Sequence, residues 1–168
     1  GAAGGLTKSG LGTLTLTGAT TIRRDFTISN GTFVAPTSMT IGGDFSNSGT
    51  FTHSSGTVIF APSDVTLTSE ILGSSNTTFN NFTIITPGAT LKFKNGNTYT
   101  VGGTFTVTGS DGLPVSLLSD SNGQQWNLVI DAYSLNYVSV QDSNCSGASG
   151  VNTGNSTIVG LGGNTGAC

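Results

Sequence analysis

The sequence is short of charge. Charged residues make up 8% of it, the formal net charge is -3, and the basic residues are Lys8, Arg23, Arg24, Lys92 and Lys94 alone. These are dispersed and build no basic stripe, which argues against nucleic acid as a partner. His53 is the single histidine, so a Ser-His-Asp triad or a His-based metal site would have to be built on it. It lies in the alternating run "FTHSSGT" and reads as a turn-proximal side chain. No Walker loop, dinucleotide fingerprint or Cys/His metal cluster occurs, so no cofactor is expected. No apolar run is long enough to cross a membrane, and no helical apolar period appears.

What is abundant is glycine (26 residues) and the small polar residues Thr (28), Ser (21) and Asn (14). Such a mixture is compatible with disorder, but disordered chains are usually charged and poor in β-branched residues. Here apolar residues reach 35% and alternate with Thr and Ser. "GTLTLTG", "FTII" and "GTFTVTG" are short period-two runs, several bounded by Gly, as expected of strands with one buried face. At 168 residues the chain is long enough for one domain with a sizeable core.

The strand signals repeat. Thr40-Ile41-Gly42-Gly43-Asp44-Phe45 shares its frame with Thr21-Ile22-Arg23-Arg24-Asp25-Phe26 and with Thr100-Val101-Gly102-Gly103-Thr104-Phe105. A variable middle pair between apolar flanks predicts a corner between two strands, with Gly42-Gly43 supplying positive φ or a sharp bend. Ile22, Ile41, Phe60 and Phe79 follow one another at 19 residues, and Val101 comes 22 later. Short strands at this period, with no helix and no Leu/Asn consensus, predict an all-β fold: a parallel β-helix, or solenoid, with coils of about 19–22 residues. The five apolar residues are expected to form one inward stack. Residues 1–20 read as an N-terminal strand or assembly segment, 21–110 as regular coils, and 111–144 as final coils with a larger core around Trp126. Residues 145–168 read as a tail.

Cys145 and Cys168, the only cysteines, stand 23 apart. With this composition they read as a disulfide of an exported protein, the alternative being two free thiols. The start "GAAGG" is what a removed leader would leave behind.

Two stretches carry a resemblance. "LTKSGLGTLTLTGATTI" resembles the repeat in passenger regions of bacterial autotransporters and related adhesins. "GQQWNLVIDAYSLNYVSVQDSNCSG" resembles the closing segment of β-solenoid regions in very large secreted bacterial surface proteins. With the "TIGGDFSNSGTF" type of repeat, the resemblance covers most of the chain. It implies a right-handed parallel β-helix with an extracellular or cell-surface structural role, and no catalytic residues.

Other candidate sites are weighed on their residues. Asp25 and Asp44 share one repeat position, and β-helix glycosidases use carboxylate pairs. The third frame carries Thr104 there, and Arg23 and Arg24 lie close by, so solvated corner carboxylates are the simpler reading. Asp111, Asp120, Asp131 and Asp142 match no calcium motif and suit turns. Thr13/Thr15/Thr17, Thr66/Thr68 and Thr104/Thr106/Thr108 are Thr-x-Thr runs of the sort that bind ice when aligned across coils, and the irregular loops do not promise that alignment. Sequons begin at Asn30, Asn76, Asn81, Asn144 and Asn155.

Together these features favour a non-enzymatic extracellular solenoid, an adhesin or fibre element. The runner-up is a polysaccharide-binding or polysaccharide-cleaving β-helix. Strand edges at the first coil carry little charge, so the expected partner is a second copy stacked head to tail, or the continuation of a larger chain, with surface glycans as a further possibility.

Overall fold

The computed structural model describes residues 4–147, 159–160 and 164–166. Within them every regular element is a strand, and the named strands pair in parallel, so the chain is an all-β parallel solenoid. Short alternating runs make the sides of each coil, with Phe, Ile, Leu and Val facing in and mostly Thr and Ser facing out.

The first coil holds β1 (Leu6–Lys8), β2 (Thr13–Thr15) and β3 (Thr20–Ile22). The second holds β4 (Phe26–Ile28), β5 (Thr32–Val34) and β6 (Ser38–Ile41). β7 (Phe45–Asn47), β8 (Thr50–Thr52) and β9 (Thr57–Phe60) make the third, and β10 (Thr68–Leu72), β11 (Thr77–Phe79) and β12 (Asn81–Ile84) the fourth. Two sides then fuse into one long strand. The fifth coil is β13 (Thr90–Phe93) with β14 (Thr98–Thr108), and the sixth is β15 (Val115–Ser119) with β16 (Trp126–Asn136). β17 (Val138–Val140), β18 (Ser143–Gly147), β19 (Val159–Gly160) and β20 (Thr165–Gly166) follow.

Stacking gives three faces. Face A is the eight-stranded sheet β1-β4-β7-β10-β13-β15-β17-β19. Face B starts as β2-β5-β8, passes to β11 packed beside β8, and continues through the first parts of β14 and β16 to β18 and β20. Face C runs β3, β6, β9, β12 and the second parts of β14 and β16. The enclosed core is aromatic, and all nine Phe are buried. Phe26 stacks on Phe45 at 5.4 Å and Phe33 on Phe51 at 6.1 Å. Such offset pairs add about 0.5–1.5 kcal/mol beyond their area.

The structure corrects the expected register in three ways. Ile22, Ile41 and Phe60 do form one ladder, but the next rung is Ile84, not Phe79. Phe79 pairs with Val101 in a second ladder that leads to Ile130. All five expected residues are buried, and Phe60 still touches Phe79 with ring centroids 6.4 Å apart. The 19-residue step fails there because the loop at 61–67 lengthens the coil. Coil length is correspondingly less uniform than expected: partners Leu128 and Cys145 are 17 apart, whereas Tyr99 and Leu128 are 29 apart.

Gly42-Gly43 does turn a corner, from face C to face A, but neither glycine has positive φ. Close stacking demands them instead. A Cβ on Gly42 would come within 2.6 Å of Arg23 O, and one on Gly43 within 2.8 Å of Arg24 C. Arg23-Arg24 is tolerated one coil earlier because the side chains there point to solvent. The third frame is not equivalent: Gly102-Gly103 marks a register shift inside β14, between its face B and face C parts.

Candidate functional site

The corner from face C to face A carries a concave surface. Segments 23–25, 42–44 and 61–67 stack there, and the inserted third segment overhangs the glycine step. The resulting cleft, of about 290 Å³, is lined by Asp25, Gly42, Gly43, Asp44, Asp64 and Leu67 among others, and Arg23 and Arg24 line the adjoining hollow.

The carboxylates here are first of all backbone caps. Asp44 N–H donates to Asp25 Oδ1 at 3.0 Å, and Glu70 N–H donates to Asp44 Oδ1 at 2.9 Å. Each corner Asp thus satisfies an amide of the next coil, which a turn would otherwise leave to solvent. Asn81 does the same for Thr104 N at 2.9 Å above Gly103. Asp64 accepts from the Thr66 hydroxyl at 2.6 Å and from Thr66 N at 3.0 Å, and these bonds hold its carboxyl below the usual range. Arg23 and Arg24 are exposed and enter no ion pair among the described residues, where the one ion pair is Lys94–Asp120 at 2.8 Å. Burial alone would raise Asp120, but the Lys94 ammonium and the Asn95 N–H outweigh it and hold the carboxyl low.

The other candidates are scattered. His53 Nδ1 accepts from Ser55 N at 3.0 Å inside the β8–β9 turn, so the ring serves that turn. Asp111 and Asp131 are exposed, and Asp142 is buried with Oδ2 accepting from Gly123 N at 2.9 Å. Among the described residues no group of three or more His, Cys, Asp or Glu is placed to hold a metal. The Thr-x-Thr runs fall on different faces: Thr13 and Thr15 on face B, Thr104 to Thr108 on face C, and Thr66 in the inserted loop.

The sequons separate by what their amides do. Asn81 Nδ2 donates to Thr57 Oγ1 at 3.3 Å, and Asn144 Nδ2 to Asn127 Oδ1 at 3.0 Å. Asn30 and Asn76 are exposed and, among the described residues, use only their Oδ1 atoms, on Gly31 N and Thr98 N. Asn155 lies outside the described residues, as does Cys168, while Cys145 is buried on β18.

Sequence reasoning missed Lys8. It is 6% exposed, and its ammonium donates to Ser9 O, Gly10 O and Asn30 O, the shortest at 2.6 Å. A lysine beside Gly-rich turns gives no pattern that would announce this cage. No protein-family model matches the chain, and no curated protein or solved structure matches it.

Proposed function

We propose that the chain is a non-enzymatic structural element of an extracellular or cell-surface assembly, of the adhesin or fibre kind, whose coils continue end to end. The supporting observation is the coil edge at β1, β2 and β3. Each of these strands has a ladder partner on one side only among the described residues, and Leu6, Leu14 and Leu16 stay partly buried against the core there. An unpaired strand edge templates further pairing. One end meeting the other is a heterologous contact, which grows a filament in preference to a closed dimer. The occupant of this edge is a second copy or preceding coils of a longer chain. An exported setting suits a Cys145–Cys168 bond and glycans on Asn30 and Asn76, the two described sequons whose Nδ2 groups make no hydrogen bond among the described residues.

Light scattering and micrographs test the reading. Self-stacking gives concentration-dependent rods that are lost in Leu14→Asp, because a carboxylate would then enter the apolar end. A wild-type chain that stays monomeric at high concentration removes the self-stacking arm and leaves the longer chain.

The corner cleft supports a second reading, a polysaccharide-binding or polysaccharide-cleaving solenoid. Its Asp25, Asp44 and Asp64 would meet sugar hydroxyls. Binding on a glycan array that disappears in Asp25→Asn, or turnover that does, would put this reading first.

A further inference from the structure

The outward side of face C holds an ordered row that no stretch of sequence displays. Thr21 pairs with Thr40, Thr40 with Ile59, Ile59 with Thr83, Thr83 with Thr106, and Thr106 with Ser134. One residue from each of six successive coils therefore stands in register. A second, less regular row lies two residues earlier on the strands, through Ser38, Thr57, Asn81, Thr104 and Ala132; Ser38 pairs with Thr57, Thr57 with Asn81, and Thr104 with Ala132. Among the described residues, the face C segments, with β16 counted from Ala132, contain no Asp, Glu, Lys or Arg; exposed Asp131 lies at the corner just before them. Its aromatic residues, Phe60, Phe82, Phe105 and Tyr133, belong to the core side.

The spacings follow from strand geometry. Neighbouring strands lie about 4.8 Å apart and alternate residues about 6.7 Å apart along a strand, so the rows form a near-rectangular grid about 24 Å long. Both repeats are close to the oxygen repeats on the prism plane of ice. A Thr side chain is stiff at χ1, which fixes its hydroxyl and methyl together. The hydroxyl can donate and accept, as a lattice water does. The methyl leaves room for a water cage beside it, and Ile59 keeps the branched shape where its hydroxyl is missing. A charged group would impose its own hydration shell on the lattice, and the described strand segments of face C carry none. An aromatic platform of the kind that stacks on sugars is missing from its outward side.

We propose that face C binds the surface of ice through this Thr grid. Pre-ordered side chains lower the entropy cost of holding a water lattice. The grid lies on a different face from the corner cleft, and it does not need the coil ends, so it stands apart from end-to-end assembly.

The test is partition into slowly growing ice, with ice recrystallisation as a second readout. Wild-type protein is expected to be taken into the ice and to keep crystals small. Thr83→Tyr and Thr106→Tyr place a large outward side chain on a strand that tolerates it, and both are expected to be excluded from ice like a non-binding control protein. Thr27→Tyr on face A and Thr100→Tyr on face B are expected to partition like wild type. Circular dichroism checks that each variant is folded. Exclusion of the folded wild-type chain overturns the proposal, as does equal loss in all four variants. Exclusion combined with a dimer that Thr83→Tyr breaks also overturns it, and assigns face C to a second copy.

Discussion

The indole of Trp126 lies flat on the ring of Phe93, with centroids 4.1 Å apart and planes 8° from parallel. Phe93 points inward from β13 on face A and Trp126 opens β16 on face B, so the pair joins the fifth coil to the sixth through the core. The indole N–H donates to Gln141 O at 3.1 Å, which ties the same ring to the next coil. Trp126→Ala is expected to cost ~3–5 kcal/mol, the usual range for a buried aromatic. Urea unfolding followed by circular dichroism measures it. A cost under ~1 kcal/mol would mean that the core closes around the gap.

Ile41 sits between Ile22 and Phe60 on face C with 1% of its surface exposed. Ile41→Ala is expected to lose ~2–5 kcal/mol, and Phe79→Ala ~3–5 kcal/mol from the neighbouring ladder. The two residues share no ladder but both neighbour Phe60, so the double variant should depart from additivity only modestly, by ~0.5–1 kcal/mol. Strong coupling would place them in one stack after all.

Period-two alternation was enough to read strands with one buried side, and a recurrence near 20 residues was enough to read a parallel solenoid. Ile22, Ile41 and Phe60 were legible because the two coils between them have the same total length. Past Phe60 the inserted segment 61–67 breaks the count, and spacing alone cannot choose between Phe79 and Ile84 as the next rung. Both are apolar, both are buried, and only the ladder decides. The Gly-Gly frames misled for a related reason. Asp25 over Gly43 and Asn81 over Gly103 are one local solution, used at two different corners. The face C row was invisible because it takes one residue from each coil, at steps that vary with every loop.

Tyr99 carries a pH dependence on the alkaline side. Burial pushes its hydroxyl up to about 12, partly offset by the Lys94 N–H that it accepts. A tyrosine freed by unfolding ionises near pH 10, at about its reference value. Between these values the folded chain holds a proton that the unfolded chain has lost, so stability is full below the lower value and falls as pH rises toward the upper one. Urea midpoints across that window should fall more steeply for wild type than for Tyr99→Phe. The variant itself should start lower, since it loses the bond to Ile71 O at 2.9 Å, worth about 1 kcal/mol. Parallel slopes would show that another group controls the alkaline limb.

The proposed Cys145–Cys168 bond is decided by mass. Intact chain from an oxidising compartment, alkylated without reductant, should take up no label. Reduction should then expose both thiols and lower stability by ~3 kcal/mol, the entropic value for a loop of this order. Two labels before reduction would reject the pairing.

Gly43 and Asp25 form the last test, because the structure makes glycine answerable to a carboxylate one coil away. A Cβ at residue 43 would collide with Asp25 Oδ1, the same atom that accepts from Asp44 N. Gly43→Ala should therefore cost ~1–3 kcal/mol through overpacking. Asp25→Ala should cost about 1–2 kcal/mol through the lost charge-assisted bond. In the double variant the carboxylate is gone, so the methyl added at position 43 meets only the backbone at Arg24 C and Asp25 N, 2.8 and 2.9 Å away. The cost of the pair should fall short of the sum by ~0.5–1.5 kcal/mol while remaining above zero. Simple additivity in urea unfolding would show that the backbone alone demands glycine there, and that the Asp25 cap contributes independently of it.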